Sequence, residues 1–184
     1  MRPKPVDVLF ILQGYGVDGV VAITITLIFA RNTDLLTAVI GGSVLLAMRH
    51  FGEAIAAPLF DAIADKFGAQ RVFVIAAVLT MIGFIFVASG ITVIDALVML
   101  PFRGALASLG PAVIAADLDV QQDAIGPLAR MQAWRDLGAA LGPLVTGFAL
   151  AYLSAEAQHG IVACFLAVGM LYWSNARDQD RDAP

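Results

Sequence analysis

The sequence predicts an all-α membrane protein of six transmembrane helices, and three observations lead there. Of its 184 residues 60% are hydrophobic and only 14% are charged, against about 45–50% and about 25% in soluble domains. The apolar residues fall in blocks long enough to cross a bilayer, which takes about 20 residues of helix per crossing. The connections between the blocks are short, so consecutive helices are expected to be antiparallel neighbours and no soluble domain is left over.

Taken in order, the first helix is expected at 6–30. It follows Arg2 and Lys4, is too long for the apolar core of a secretory signal and contains Asp18, so it reads as a retained span. The second is placed at 35–60, the third at 71–89, the fourth at 93–116, the fifth at 128–153 and the sixth at 158–174. All six belong to one domain over residues 1–184. Six crossings put both termini on one side. That side holds Arg2, Lys4, Lys66, Arg71, Arg130, Arg135, Arg177 and Arg181, while the other holds only Arg31. By the positive-inside rule the termini are cytoplasmic, and a bacterial inner membrane is the expected location.

Polar residues divide the helices into two kinds. The third (VFVIAAVLTMIGFIFVAS) and the sixth (IVACFLAVGMLYW) carry no ionisable side chain within the bilayer apart from Cys164. The first, second, fourth and fifth carry Asp18, Arg49 with Glu53, Arg103, and Arg135 with Asp136. A charge facing lipid costs at least about 2.5–3.5 kcal/mol on insertion scales, so these four are expected to face protein or water and the other two to face lipid. The third helix of each triplet is then the plain one, a three-plus-three pattern of the kind found as inverted repeats in secondary transporters.

Other classes are disfavoured. A net charge of -4 does not suit a nucleic-acid face, and a single cysteine builds neither a disulfide framework nor a thiolate metal site. No phosphate loop or metal-ligand spacing is present, and no cofactor is expected. Asp61 and Asp65 lack the continuation that CDP-alcohol phosphotransferases need, and Ser43 in GGSVL lacks the frame of an intramembrane serine protease. The chain is therefore not expected to be an enzyme.

The stretch between the second and third helices, DAIADKFGAQRV, resembles the loop signature of the major facilitator superfamily, Gly-x-Leu-Ala-Asp-Arg-x-Gly-Arg-Arg. Asp65, Lys66 and Gly68 match and Arg71 sits near the final basic residue, whereas Asp61 replaces the first glycine and Ala69 with Gln70 replace the basic pair. A degraded copy of this kind is similar to the one that family carries in its second half. WRDLGAALGPLVTG, residues 134–147, is similar to the family's Gly-Pro-rich fifth or eleventh helix. There Gly138 and Gly142 make a GxxxG step, Pro143 a bend and Gly147 a further small position, although ordinary helix packing explains such a step equally well. Arg103-Gly104 is similar to its single arginine in the fourth or tenth helix. Complete members carry about twelve helices, so the resemblance implies one six-helix half, the C-terminal one, moving a small solute by alternating access under an ion gradient, with the proton as a candidate. It also implies a second six-helix half as partner, supplied by a separate chain or a second copy.

Several positions have two readings. Gln13 and Asp18, in QGYGVDG near the middle of the first helix, and Arg103 at similar depth in the fourth are candidates for a substrate or ion pathway, with Asp18 and Arg103 expected to pair; a purely structural ion pair at Asp18 is the alternative. Arg49 and Glu53, four apart, suit a structural pair, with His50 pointing elsewhere and His159 at the interface. Asp61, Asp65, Lys66, Gly68 and Arg71, with Arg135 and Asp136 at the start of the fifth helix, are candidates for a cytoplasmic gate, or else for head-group contacts. A non-transporting membrane scaffold and an inactive transporter half remain open as alternatives. Substrate and direction are not legible.

Overall fold

A computed structural model describes residues 4–31, 33–90, 93–116, 118 and 123–182. Among them there is no strand. The first rod consists of α1 (Pro5–Gln13), a π-helical segment (Gly14–Val20) and α2 (Val21–Ala30) in line. Five more follow: α3 (Leu35–Phe67), α4 (Ala69–Ala88), α5 (Val93–Ala116), α6 (Ile125–Ala149) and α7 (Ala155–Asp182). Three stretches, Pro5–Ile28, Ala69–Ala88 and Ala155–Arg177, are long and apolar enough to cross a membrane.

Local chemistry sets the ends. Pro5 occupies the first helical position of α1, where its missing N–H costs nothing, and the Asp7 carboxylate accepts from the Lys4 backbone N–H at 2.7 Å. Asp34 caps α3 by accepting from the Thr37 backbone N–H at 3.1 Å and the Thr37 hydroxyl at 2.7 Å. Those donors hold the Asp34 carboxyl below the usual aspartate range. The Ser154 hydroxyl accepts from the Ala157 N–H and starts α7. Between α3 and α4 stands one residue, Gly68, at φ 92°, a conformation that a side chain disfavours.

The rods are packed selectively. The first lies against α6 along most of its length, against α7 through α1 and against α3 through α2; α5 lies against α3 and α4; and α4 lies against α7 and, more lightly, α3. Two clusters form the core. One gathers Phe10, Phe73, Leu109, Val113, Met131 and Trp173, with Phe73 set 5.9 Å from Phe10 and edge-on to Trp173 at 5.8 Å. The other gathers Val17, Val20, Phe84, Val87, Val162 and Leu166.

Three expectations change. The second helix does not stop at 60 but runs to Phe67, so Asp61, Asp65 and Lys66 lie on its last turns and the connection shrinks to Gly68. No proline or positive-φ residue interrupts 60–67, so the helix propagates until Gly68 ends it. The plain helices α4 and α7 are not merely peripheral: Ala76, Phe84, Val162 and Leu166 on their inner faces are core, while Ile75, Ile82, Phe165 and Val168 are exposed. Large exposed apolar side chains also lie on α3 (Leu35, Phe51, Ile55 and Leu59 among others) and on α6 (Leu141, Leu144 and Phe148). One charge needs only one sheltered face, and the rest of the helix is free to be apolar outside.

Candidate functional site

The first rod meets α6 backbone to backbone. A Cβ on Gly14 would lie 2.0 Å from the Arg135 carbonyl oxygen, one on Gly138 2.1 Å from that of Ile11, and one on Gly19 2.5 Å from Gly142 Cα. Real side chains never approach backbone so closely, so Gly138 and Gly142 are fixed by contact with the first rod, as the GxxxG step suggested. Pro143, inside α6, brings its ring beside Gly19. A Cβ on Gly147 would have nothing within 4 Å, so this glycine takes no part.

Along this seam the first rod widens into a π-helix of 7 residues, Gly14–Val20, which contains Asp18. π-helical turns are rare and occur frequently at functional sites. Asp18 Oδ2 lies 3.4 Å from both Nε and Nη2 of Arg135. The side chains are 12% and 16% exposed, so the pair is sheltered yet reachable. Because the Arg135 backbone stands opposite Gly14, one turn before Asp18, its side chain runs along the seam to meet the carboxylate. Arg135 is thus an inward-reaching partner of the first helix, more than a residue at the mouth of the fifth. Asp136 accepts from Gln132 at 2.7 Å.

Nearer the helix starts the same seam holds a second pair, which sequence reasoning missed. Arg130 Nε lies 3.1 Å from Oδ2 of Asp7, a fully buried side chain. The available signal was an acid at the third helical position after Lys4-Pro5, and it spoke for capping rather than for a pair 123 residues away.

Elsewhere the candidates scatter. Gln13 is buried and neither amide atom has a partner among the described residues; the same holds for Gln158. The side chains of Arg49 and Arg103 lie outside the described residues. A Cβ on Gly104 would sit 2.7 Å from Glu53 Cα, so this part of α5 abuts α3. His50 Nδ1 comes within 4.0 Å of Glu53, where it was expected to point away. Asp61, Asp65, Lys66, Gly68 and Arg71 are exposed, and beside them Gln70 accepts from Arg177, whose guanidinium lies 5.2 Å from the Trp173 ring. His159, one turn from the start of α7, is buried against protein: its Nδ1 is 2.8 Å from the Ala155 carbonyl oxygen and its Nε2 3.4 Å from Thr24 Oγ1. The contact of α7 with the first rod and with Phe84, 5.6 Å from the imidazole, encloses it.

The sequence was also compared with known proteins. No protein-family model matches the chain, and no curated protein matches it significantly.

Proposed function

We propose that this chain is one half of a secondary transporter of the major facilitator type, carrying a small solute across a bacterial inner membrane by alternating access, with both termini cytoplasmic. The observation that carries the reading is the pattern of helix partners. The first helix lies on the fifth and sixth, the fourth on the second and third, and the third on the sixth. Exchanging helices one to three with four to six returns these partnerships, as a two-fold internal repeat does, whereas the contact of the second helix with the third has no counterpart of similar size between the fifth and sixth. Three sufficiently apolar spans and an Asp–Arg pair on a π-helical segment add to it. The exposed apolar faces of α3 and α6 suit a second six-helix unit, a separate chain or another copy, with the solute path between the two.

Crosslinking and native mass measurement in nanodiscs, followed by solute uptake in proteoliposomes, tests this. The expected result is a pair of six-helix units that takes up solute saturably, while the single chain does not. Saturable uptake by a strictly monomeric chain overturns the need for a partner, and absence of uptake by every assembled form overturns transport. An impermeant thiol reagent reaching a cysteine at Lys66 from outside intact cells overturns the orientation.

A further inference from the structure

We infer that this chain pairs with a second copy of itself along α3, the row Ser43, Ala47, His50 and Ala54 of each copy lying on the same row of the other, with each His50 beside the other copy's Glu53. The inference deepens the proposed function by naming its partner, and it rests on that reading only in placing the chain in a membrane.

Depth and exposure together keep lipid away from this row. His50 is the sixteenth of the 33 residues of α3, about 24 Å from either end. Wherever a hydrocarbon core of about 30 Å falls along a helix of about 50 Å, His50 is inside it. Its side chain is 72% exposed, and Glu53, whose Oε2 lies 4.0 Å from Nδ1, is 30% exposed. The imidazole carries an N–H donor in either charge state, and polar groups of this kind turned to acyl chains at such depth are costly. Protein or water must cover them. The exposed side of α3 divides accordingly. Ser43, Ala47, His50 and Ala54 follow one another at steps of four, three and four residues and form a narrow row of small side chains around the imidazole. Val44, Met48, Phe51, Ile55 and Leu59 form a second, bulky and apolar row beside it. Small residues let helix backbones approach closely in a membrane, so the first row suits another helix, and lipid or the flank of that contact covers the second.

The row is its own complement. It carries a donor, His50, and at its edge an acceptor, Glu53, one turn apart. Two copies inserted in the same sense share a two-fold axis along the membrane normal, and every residue then lies level with its own counterpart. Each His50 meets the other copy's Glu53 across about 4.5 Å of helix rise, twice over by symmetry. A carboxylate has about four acceptor positions, so the bonds that Glu53 makes within its own chain do not close it to a second donor. Asp61 continues the row, but it lies about 16 Å further along, where crossing helices have diverged and water is at hand. A separate chain would have to bring a matching donor and acceptor of its own, whereas a second copy brings them by symmetry.

Disulfide crosslinking in native membranes reads the row directly. In a Cys164→Ala background, Ala47→Cys and Ala54→Cys are expected to form linked dimers on oxidation, Met48→Cys and Ile55→Cys far fewer, and Leu171→Cys on α7 none. Equal linking at all five positions, or none at Ala47 and Ala54, overturns the inference; so does labelling of those two cysteines by a water-soluble thiol reagent without dimers, which means that water lines the row. The polar match is tested by native mass measurement in nanodiscs. An interhelical hydrogen bond in a membrane shifts an equilibrium about threefold on average, and symmetry makes two, so His50→Leu is expected to weaken dimerisation about tenfold. An unchanged or stronger dimer overturns the match. Chains carrying His50→Glu and chains carrying Glu53→His have each lost the pair within the chain, yet together they restore it between chains, so a mixture is expected to favour the mixed dimer about tenfold. Statistical mixing overturns the two-fold contact. Should either variant fail to reach the membrane, the cysteine series, which leaves both residues in place, decides alone. Dimers linked at Ala47 and Ala54 that take up no solute leave this contact standing and remove the transporter reading, whereas saturable uptake without such links does the reverse.

Discussion

The seam between the first rod and α6 and the seam between α4 and α7 hold helices together by opposite means. In the first, glycines bring backbone against backbone, and Asp7–Arg130 and Asp18–Arg135 lie in the same contact. In the second, side-chain volume fills the contact: Phe73 meets the edge of Trp173, and Phe84 joins Val162 and Leu166. In lipid the apolar seam gains little from the hydrophobic effect, because the surroundings are as apolar as the contact, and close packing with polar contacts must hold helices together. A glycine seam with buried charge is therefore the more demanding of the two. Its atoms have no slack, whereas aromatic side chains can shift rotamers.

That contrast is open to attack at three points. The largest loss is expected from Asp7→Ala, which leaves Arg130 without its carboxylate. Removing one member of a buried pair costs about 3–5 kcal/mol, and the outcome should be a steep fall in thermal stability in detergent, partly recovered by Arg130→Met in the same chain. An Asp7→Ala protein that melts like the original would mean that the pair is solvated and the seam ordinary.

A smaller loss, about 1–3 kcal/mol or somewhat more, is expected from Gly138→Leu, since the new side chain meets the Ile11 carbonyl and no rotamer relieves it. Gly147→Leu, further along the same helix, meets open space and should stay within about 0.5 kcal/mol. Equal melting temperatures for these two variants would dissolve the distinction between the faces of α6. The smallest effect should come from the apolar seam. Phe73→Leu keeps the site apolar and loses the ring contacts with Trp173 and Phe10, each worth about 0.5–1.5 kcal/mol. A loss beyond that of Gly138→Leu would reverse the ranking of the two seams.

Much of this arrangement could be read from the residues alone. Apolar block length gave the helical rods, and the Gly138–Gly142 step gave a close approach, because both depend on local pattern. Partners were harder. Depth along a helix follows from counting at about 1.5 Å per residue, and it put Asp18 and Arg103 level with one another. Azimuth does not follow from counting, and Asp18 meets Arg135, which starts a turn lower and reaches along the seam. The position of Asp65 and Lys66 was misjudged for a different reason. A charged, glycine-containing stretch looks like a loop, yet charged residues such as lysine are good helix formers and only Gly68 breaks the helix. Asp7 went unnoticed because an acid at the start of a helix carries no local signal for a partner 123 residues away.

The length of α3 has a consequence for anything that approaches this end of the bundle. Its 33 residues measure about 50 Å, against a hydrocarbon core of about 30 Å, and helix tilts seldom exceed about 40°. Tilting alone cannot hide it. Large exposed apolar side chains run from Leu35 to Leu59 and recur at Phe67, while the last turns carry the exposed charges Asp61, Asp65 and Lys66; if the helix crosses a bilayer, those turns reach the head-group layer. These turns end at the one-residue elbow at Gly68. Because Gly68 alone joins α3 to α4, any change in the tilt of α3 must displace the start of α4 as well.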